Sequence, residues 1–165
     1  MSSGTTAIPE INRHPRFRRL AAYLASKAPP GKLPGRQHID PLEIPDLLPY
    51  LILIDVVPQQ IGPPHYRLRL VGTEVVEIQG SDNTGRYVED VLTAEEGGEI
   101  RRRYDDLVGS RQPQYRMGTV ATLGREHVNY ERIAFPIAAD GEHVNMLIFI
   151  FAREEPSVSR FIRKP

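Results

Sequence analysis

The sequence predicts an α+β fold in which a five-stranded antiparallel sheet has helices on one face and an amphipathic N-terminal helix precedes it. Strand-like runs at 51–57 and 66–71 come first. Helical segments then occupy 73–108, and further strand-like runs follow at 114–123, 127–137 and 143–152. Strands on both sides of a helical crossover are typical of an antiparallel sheet that carries its helices on one face.

The first 38 residues contain one helix and a loop. We expect residues 1–14 to be flexible, because they are polar and mixed. Pro15 can open a helix, since its missing N–H would lack a partner in the first turn anyway. The helix and a Pro- and Gly-rich linker together span 15–38. The main apolar positions of the helix are Phe17, Leu20 and Leu24. This stripe needs a partner surface, which is either a second copy in a homodimer or the open face of the sheet.

The main domain spans 39–153, and a charged C-terminal tail spans 154–165. Its first strand, LILIDVV, is a continuous apolar run that is typical of a central strand. Its second strand alternates, with Tyr66, Leu68 and Leu70 on one face. Asp140 and Gly141 predict a two-residue hairpin loop before the last strand.

Turn signals divide the helical crossover. Thr73 is placed to N-cap a helix at 74–79, and Gly80 follows where a left-handed residue would end that helix. Asp82 is suited to accept backbone hydrogen bonds in the turn before a helical segment at 86–92. Arg86 either pairs with a carboxylate of this region or reaches a ligand. The long helix at 94–108 carries three consecutive arginines, but acidic residues four positions away predict a solvated face.

Composition argues against several classes of function. The 21 basic residues balance 21 acidic ones, so the chain lacks the basic excess typical of nucleic-acid-binding proteins. Cysteine is absent, which removes disulfides and thiolate nucleophiles. The sequence contains no run of about 18 apolar residues, which a membrane-spanning helix would need. The N-terminus lacks the apolar core of a signal peptide. We therefore expect a cytoplasmic protein without nucleic-acid or membrane partners.

Three blocks of sequence carry a family resemblance. They are LPGRQHIDPLEIPDLLPYLILIDV at 33–56, YRLRLVGTEVVEIQGSDNTGRYVEDVL at 66–92 and YERIAFPIAADGEHVNMLIF at 130–149. In this order they resemble a PAS domain, and within it the PAS_5-type family of bacterial, mainly alphaproteobacterial, proteins. The resemblance implies the strand order 2-1-5-4-3, a ligand-sized cavity between sheet and helices, and a sensory or regulatory role.

PAS-like modules bind flavin, haem, small acids or no ligand. A flavin–thiol adduct needs a cysteine, which this chain lacks. Haem-binding members often use a histidine on the helix after the glycine turn, but the segment 86–92 contains none. Haem is therefore disfavoured, and Tyr87 would be the alternative ligand of its iron. We therefore predict no cofactor. Glu-His-Val-Asn occurs at 126–129 and 142–145, but the predicted hairpin separates its two histidines by roughly 30 Å, so we predict no shared metal site.

The primary hypothesis is a stand-alone sensory module, not an enzyme, that binds a small apolar or amphipathic ligand and signals to a separate partner protein. The predicted lining is Leu53, Asp55, Leu68, Leu70, Val76, Tyr87, Val91, Tyr130, Met146 and Ile148. Asp55 interrupts an apolar strand, so it needs either a ligand contact or an arginine partner. The candidate arginines are Arg67, Arg69 and Arg132.

Two alternatives compete with this hypothesis. The first is a homodimeric adaptor that acts through the N-terminal helix without a ligand. The second is a small enzyme that uses Asp55 or Glu77 in the cavity, although no nucleophile or nucleotide-binding motif accompanies them.

Overall fold

The computed structural model describes residues 8–120 and 128–153. The helices are α1 (Pro15–Lys27), α2 (Thr73–Gln79), α3 (Val88–Val91) and α4 (Ala94–Ser110). The strands are β1 (Leu51–Val57), β2 (His65–Val71), β3 (Gln114–Val120), β4 (Val128–Ile137) and β5 (Met146–Arg153). All strands pair antiparallel in one sheet in the order β2-β1-β5-β4-β3. The predicted fold class and strand order are therefore confirmed.

The sheet is covered on both faces, by different helices. On one face, α1 packs over a cluster of apolar side chains from β1, β4 and β5. On the other face, α2, α3 and α4 pack over a second cluster that uses the alternate positions of the same strands. Because successive side chains of a strand point to opposite faces, a strand buried on both faces reads as a continuous apolar run. The LILIDVV and MLIFIFAR strands have this pattern.

Helix α1 begins at Pro15, as predicted, and the His14 side chain caps it by accepting a hydrogen bond from the Arg16 backbone N–H at 3.1 Å. The apolar stripe of this helix lies against the sheet of its own chain, where Phe17, Leu20 and Leu24 are almost fully buried. Of the two surfaces proposed for this stripe, the structure favours the open sheet face. The sheet therefore already covers the stripe within one chain, and its use in a homodimer stays a prediction.

A second contact anchors the segment before α1 to the sheet. The Glu131 carboxylate in β4 accepts hydrogen bonds from the Arg13 guanidinium and from the Tyr115 hydroxyl of β3. Burial alone would raise the pKa of Glu131, but these two hydrogen bonds outweigh it, and the pKa lies below its ordinary value. Burial and the same carboxylate raise the pKa of Tyr115 to about 12.

An irregular register in β2 breaks the predicted alternation. Leu53 pairs with Leu70, but the next residue, Ile54, pairs with Leu68, so Arg69 is an extra residue in the second strand. A bulge of this kind shifts the face to which the following side chains point. Leu70 consequently leaves the face of Leu68 and is 38% exposed, which corrects the prediction that both share one face.

The turn from β2 into α2 depends on a close backbone approach. Gly72 is the N-cap of α2, and Thr73 is the first helical residue, so the predicted capping role of Thr73 was wrong. A Cβ at Gly72 would lie 2.3 Å from the carbonyl oxygen of Pro49, which only glycine avoids. Gly80 ends the helix in the left-handed region at φ 79°, as predicted.

The connection between β4 and β5 is longer than the predicted two-residue loop. The last paired residues are Ile137 and Met146, which leaves 138–145 as the connection. The Asp140 carboxylate accepts hydrogen bonds from the backbone N–H groups of Glu142 and His143 at 2.8 and 2.7 Å. These bonds lower the pKa of Asp140 far below its ordinary value. His143 therefore lies in a loop and not in a strand, while His127 lies outside the described residues.

Candidate functional site

A cavity of about 660 Å³ lies between the sheet and the helices α2, α3 and α4. The sheet contributes apolar side chains that share its α2–α4 face: Ile52, Ile54, Leu68, Phe149 and Phe151. The helices contribute Val75 and Ile78 from α2, Val88 and Val91 from α3, and Ile100 and Tyr104 from α4, with Leu92 just after α3. The polar lining residues are Gln79, Ser81, Asn83, Glu96, Thr119, Tyr130 and Arg132. The site is thus a chamber in which apolar walls and several polar side chains both face the open space.

Three of the predicted lining residues, Leu68, Val91 and Tyr130, lie in the wall of this cavity. Val76 and Tyr87 lie outside the cavity wall, although each is adjacent to a residue that forms it. Tyr87 instead contacts the His65 ring, with a centroid separation of 5.5 Å, and forms an isolated bridge to Arg67. Its place outside the chamber does not fit the alternative of a haem ligand there.

Four further residues were assigned to the wrong face of the sheet. Leu53, Met146 and Ile148 pack on the α1 side, and Asp55 shares that face because it alternates with Ile54. The assignment failed because a shift of one residue moves a whole strand's side chains from one face to the other. The cavity is lined by the intervening residues, Ile52, Ile54 and Phe149 among them.

Asp55 has the structural role that was the alternative to ligand contact. It is 8% exposed, and its carboxylate accepts hydrogen bonds from Arg67 at 3.0 Å and Arg69 at 3.2 Å. A buried carboxylate needs such partners, so the predicted arginine pairing is confirmed. The other carboxylate considered, Glu77, is exposed on α2 and does not line the cavity.

The turn after α2 is built from backbone interactions. Asp82 accepts hydrogen bonds from the backbone N–H and the hydroxyl of Thr84, at 2.9 and 2.6 Å, as the Asx-turn prediction requires. The turn is fastened to β2, because the Gly85 N–H donates to the Leu68 carbonyl at 2.6 Å. Arg86 donates to the Asp90 carbonyl at 3.0 Å, which supports the structural reading of this arginine over a ligand contact.

An aromatic chain joins the cavity wall to β2. The Tyr104 ring contacts Tyr66 and Phe149, with centroids 5.1 and 5.3 Å apart. The Tyr66 hydroxyl donates to the Asp105 carboxylate at 2.5 Å. Burial, together with this carboxylate, raises the pKa of Tyr66 far above its ordinary value. Helix α4 is therefore tied to the sheet at one side of the cavity.

Among the described side chains that line the cavity, Arg132 is the one basic residue. Its guanidinium carbon lies 5.1 Å from the centroid of the Phe149 ring, within the range of a cation–π contact. Burial raises the pKa of Tyr104, and the neighbouring Arg132 partly opposes that rise. Sequence reasoning considered Arg132 only as a partner for a carboxylate and missed its place in the chamber. Its alternation with Tyr130, a predicted lining residue, was the available signal.

A smaller recess of about 230 Å³ adjoins this point, and Arg132 lines both spaces. The recess also contains Arg103, Gln114, Tyr115 and Arg116. Arg116 of β3 lies directly opposite Arg132 of β4 in the antiparallel register. The site therefore combines apolar walls with a positively charged corner.

The part of the chain that the structure describes contains no cluster of three histidine, aspartate or glutamate side chains able to hold a metal ion. Within the same residues, no helix has the length and apolar character needed to cross a membrane.

The family and the fold follow from these observations together with similarity to known proteins. The chain matches the PAS_5 family of PAS domains over residues 12–151, and it therefore belongs to that family. Such domains are sensory modules. No curated protein matches the chain.

The chain is also similar to several solved structures, at low sequence identity. A light-oxygen-voltage domain studied with a flavin analogue is 8% identical, with a TM-score of 0.50 over 70% of this chain and 84% of the other. The Rhodobacter sphaeroides LOV protein is 13% identical, with a TM-score of 0.48, over 67% of this chain and 62% of that protein. The N-terminal domain of a Marinobacter aquaeolei diguanylate cyclase with a PAS/PAC sensor is 12% identical, with a TM-score of 0.44, over 62% of this chain and 94% of that domain. At such identities the likeness concerns the fold alone.

Proposed function

We propose that this PAS domain senses a small apolar or amphipathic molecule that binds in the cavity between the sheet and α2–α4. The cavity itself carries the proposal. Its volume of about 660 Å³ falls within the range of roughly 300–1,000 Å³ that is common for small-molecule sites. Its apolar walls, supplemented by several polar side chains, could bind the apolar and the polar part of such a molecule.

The placement of the carboxylates does not favour the alternative of a cavity enzyme. Asp55 is bound by two arginines on the opposite face of the sheet, and Glu77 is directed to solvent. Neither side chain can reach a molecule in the chamber as the fold stands. Ligand binding without chemistry is therefore the better account of this site.

A matched pair of substitutions tests the proposal. Leu68→Phe enlarges a side chain that lines the cavity, whereas Leu42→Phe makes the same change at a position that is 86% exposed. Protein purified from cells is examined by native mass spectrometry and by thermal shift against a library of apolar and amphipathic compounds. We expect a bound mass or a raised melting temperature for the original chain and for L42F, and loss of that effect in L68F.

Two results would overturn the proposal. One is the original chain with no co-purified mass and no compound that shifts its melting temperature. The other is equal ligand retention by L68F and L42F, because a ligand that tolerates the larger side chain is bound elsewhere.

A further inference from the structure

We infer that the molecule bound in the cavity is an amphipathic anion, whose oxyanion head lies between Arg132 and Arg116 and whose apolar part fills the larger chamber. This inference rests on the proposed function and adds the class of ligand. The two arginines occupy directly opposed positions on neighbouring strands, β4 and β3. Side chains at such positions are close neighbours, and like charges placed there repel each other.

In the part of the chain that the structure describes, no carboxylate pairs with Arg132 or Arg116 to relieve their repulsion. The ion pairs within these residues involve neither Arg132 nor Arg116. The third arginine of the recess, Arg103, is already paired with Glu99 on the surface of α4. An anion between Arg132 and Arg116 would remove the unfavourable contact, so the corner is more stable with an anion bound than empty.

The acidic residue among the described side chains that line the chamber, Glu96, already has hydrogen-bond partners. Glu96 completes the capping box at the start of α4, where its Oε2 accepts hydrogen bonds from the Thr93 hydroxyl at 2.8 Å and the Thr93 N–H at 3.2 Å. Moving it toward Arg132 would break the cap of that helix. The positive corner is therefore left for an external anion.

The surroundings of Arg132 indicate what the rest of the ligand is like. Its guanidinium stacks near Phe149, and Phe151 is its cross-strand neighbour on β5. Both aromatic rings also line the apolar chamber. A ligand that reaches the arginines from the chamber must cross this aromatic surface, which favours an apolar body attached to the charged head. A guanidinium suits a carboxylate head, because it offers paired donors in one plane.

The test compares decanoate with 1-decanol, which share their alkyl chain and differ in head group. Binding is measured by isothermal titration calorimetry on the full chain. We expect decanoate to bind about tenfold more tightly than decanol, as hydrogen bonds to a charged group would give. Arg132→Gln should weaken decanoate binding by about tenfold and change decanol binding less than twofold. Arg18→Gln, at an exposed position of α1 on the other side of the sheet, should change neither.

The outcomes separate this inference from the proposed function. Equal affinity for decanoate and decanol, with no effect of R132Q, would overturn the anionic head and leave an apolar site in place. Inorganic phosphate that binds as tightly as decanoate would also overturn the inference, because the apolar part would then contribute nothing. Binding of neither amphipath would count against both proposals. Retained decanol binding by R132Q verifies that the variant is folded, and Arg116→Gln should repeat the selective loss of decanoate.

Discussion

Replacing Leu20 with alanine tests how α1 contributes to the fold. Leu20 is 0% exposed and packs on the sheet in the cluster that α1 shares with β4 and β5. Loss of the apolar groups removes about 2–3 kcal/mol of transfer free energy, at about 0.8 kcal/mol for each carbon group. The space left behind adds to this, so we expect the free energy of unfolding to fall by about 3–4 kcal/mol. For a domain of this size the melting temperature should fall by roughly 6–16 °C.

The measurement is urea and thermal unfolding followed by circular dichroism at two protein concentrations that differ tenfold. Leu42→Ala is the matched control, because Leu42 is 86% exposed and its loss should change stability by less than about 0.5 kcal/mol. Packing within one chain predicts a loss at Leu20 that is the same at both concentrations.

Two results would refute this reasoning. The first is a loss at Leu20 below about 1 kcal/mol, which is too small for a fully buried leucine. The second is a melting temperature of the original chain that rises with concentration, together with an L20A variant that lacks this dependence. Association stabilises a folded chain by mass action, so that pattern would place Leu20 between chains.

Two further substitutions test the turn into α2 and the contact that anchors the N-terminal segment. Gly72→Ala should lower the free energy of unfolding by about 1–3 kcal/mol, since its Cβ would meet Pro49. Gly98→Ala adds a Cβ in open space on α4 and should raise stability by about 0.5–1 kcal/mol; equal effects in urea unfolding would contradict the steric account. Glu131→Gln should cost about 1–2 kcal/mol at pH 7 by weakening the contact with Arg13. The native pKa of Glu131 is lowered, so its contribution is present above the unfolded pKa and disappears as pH falls through the native pKa. Urea midpoints of the two proteins should therefore converge as the pH is lowered below the ordinary pKa of a glutamate. A gap that stays constant with pH would rule out the carboxylate's charge as the cause.

Elements that depend on local chemistry were predictable from the sequence. Pro15 marks the start of α1, Gly80 ends α2, and Asp82 forms its turn with groups two residues away. Each of these signals depends on residues close in the chain, so no knowledge of the tertiary fold is needed. The bulge at Arg69 and the close approach of Gly72 to Pro49 were not predictable in this way, because both depend on how distant segments meet.

The lining of the cavity was harder to predict because β1 and β5 are apolar on both faces. A continuous apolar run does not show which of its residues point to which face. A charged residue with an identifiable partner can show this. Asp55 is such a residue, since it pairs with Arg67 across the strands. Arg67 and Leu68 are consecutive and point to opposite faces. A partner of Arg67 therefore cannot share the cavity with Leu68, and the same argument moves Leu53 to the α1 side.

The two faces of the sheet also differ in how closely they are packed. A chamber of about 660 Å³ leaves the α2–α4 face with fewer packing contacts than a filled core would have, which lowers the stability that this face can contribute. The α1 face has the opposite character, because Phe17, Leu20 and Leu24 fill its surface almost completely. Helix α1, which precedes the main domain, thus provides close packing on one face of the sheet, while the other face contains the open chamber. Substitutions under α1 should therefore reduce stability, while those at Leu68 or Arg132 should chiefly alter which molecules bind.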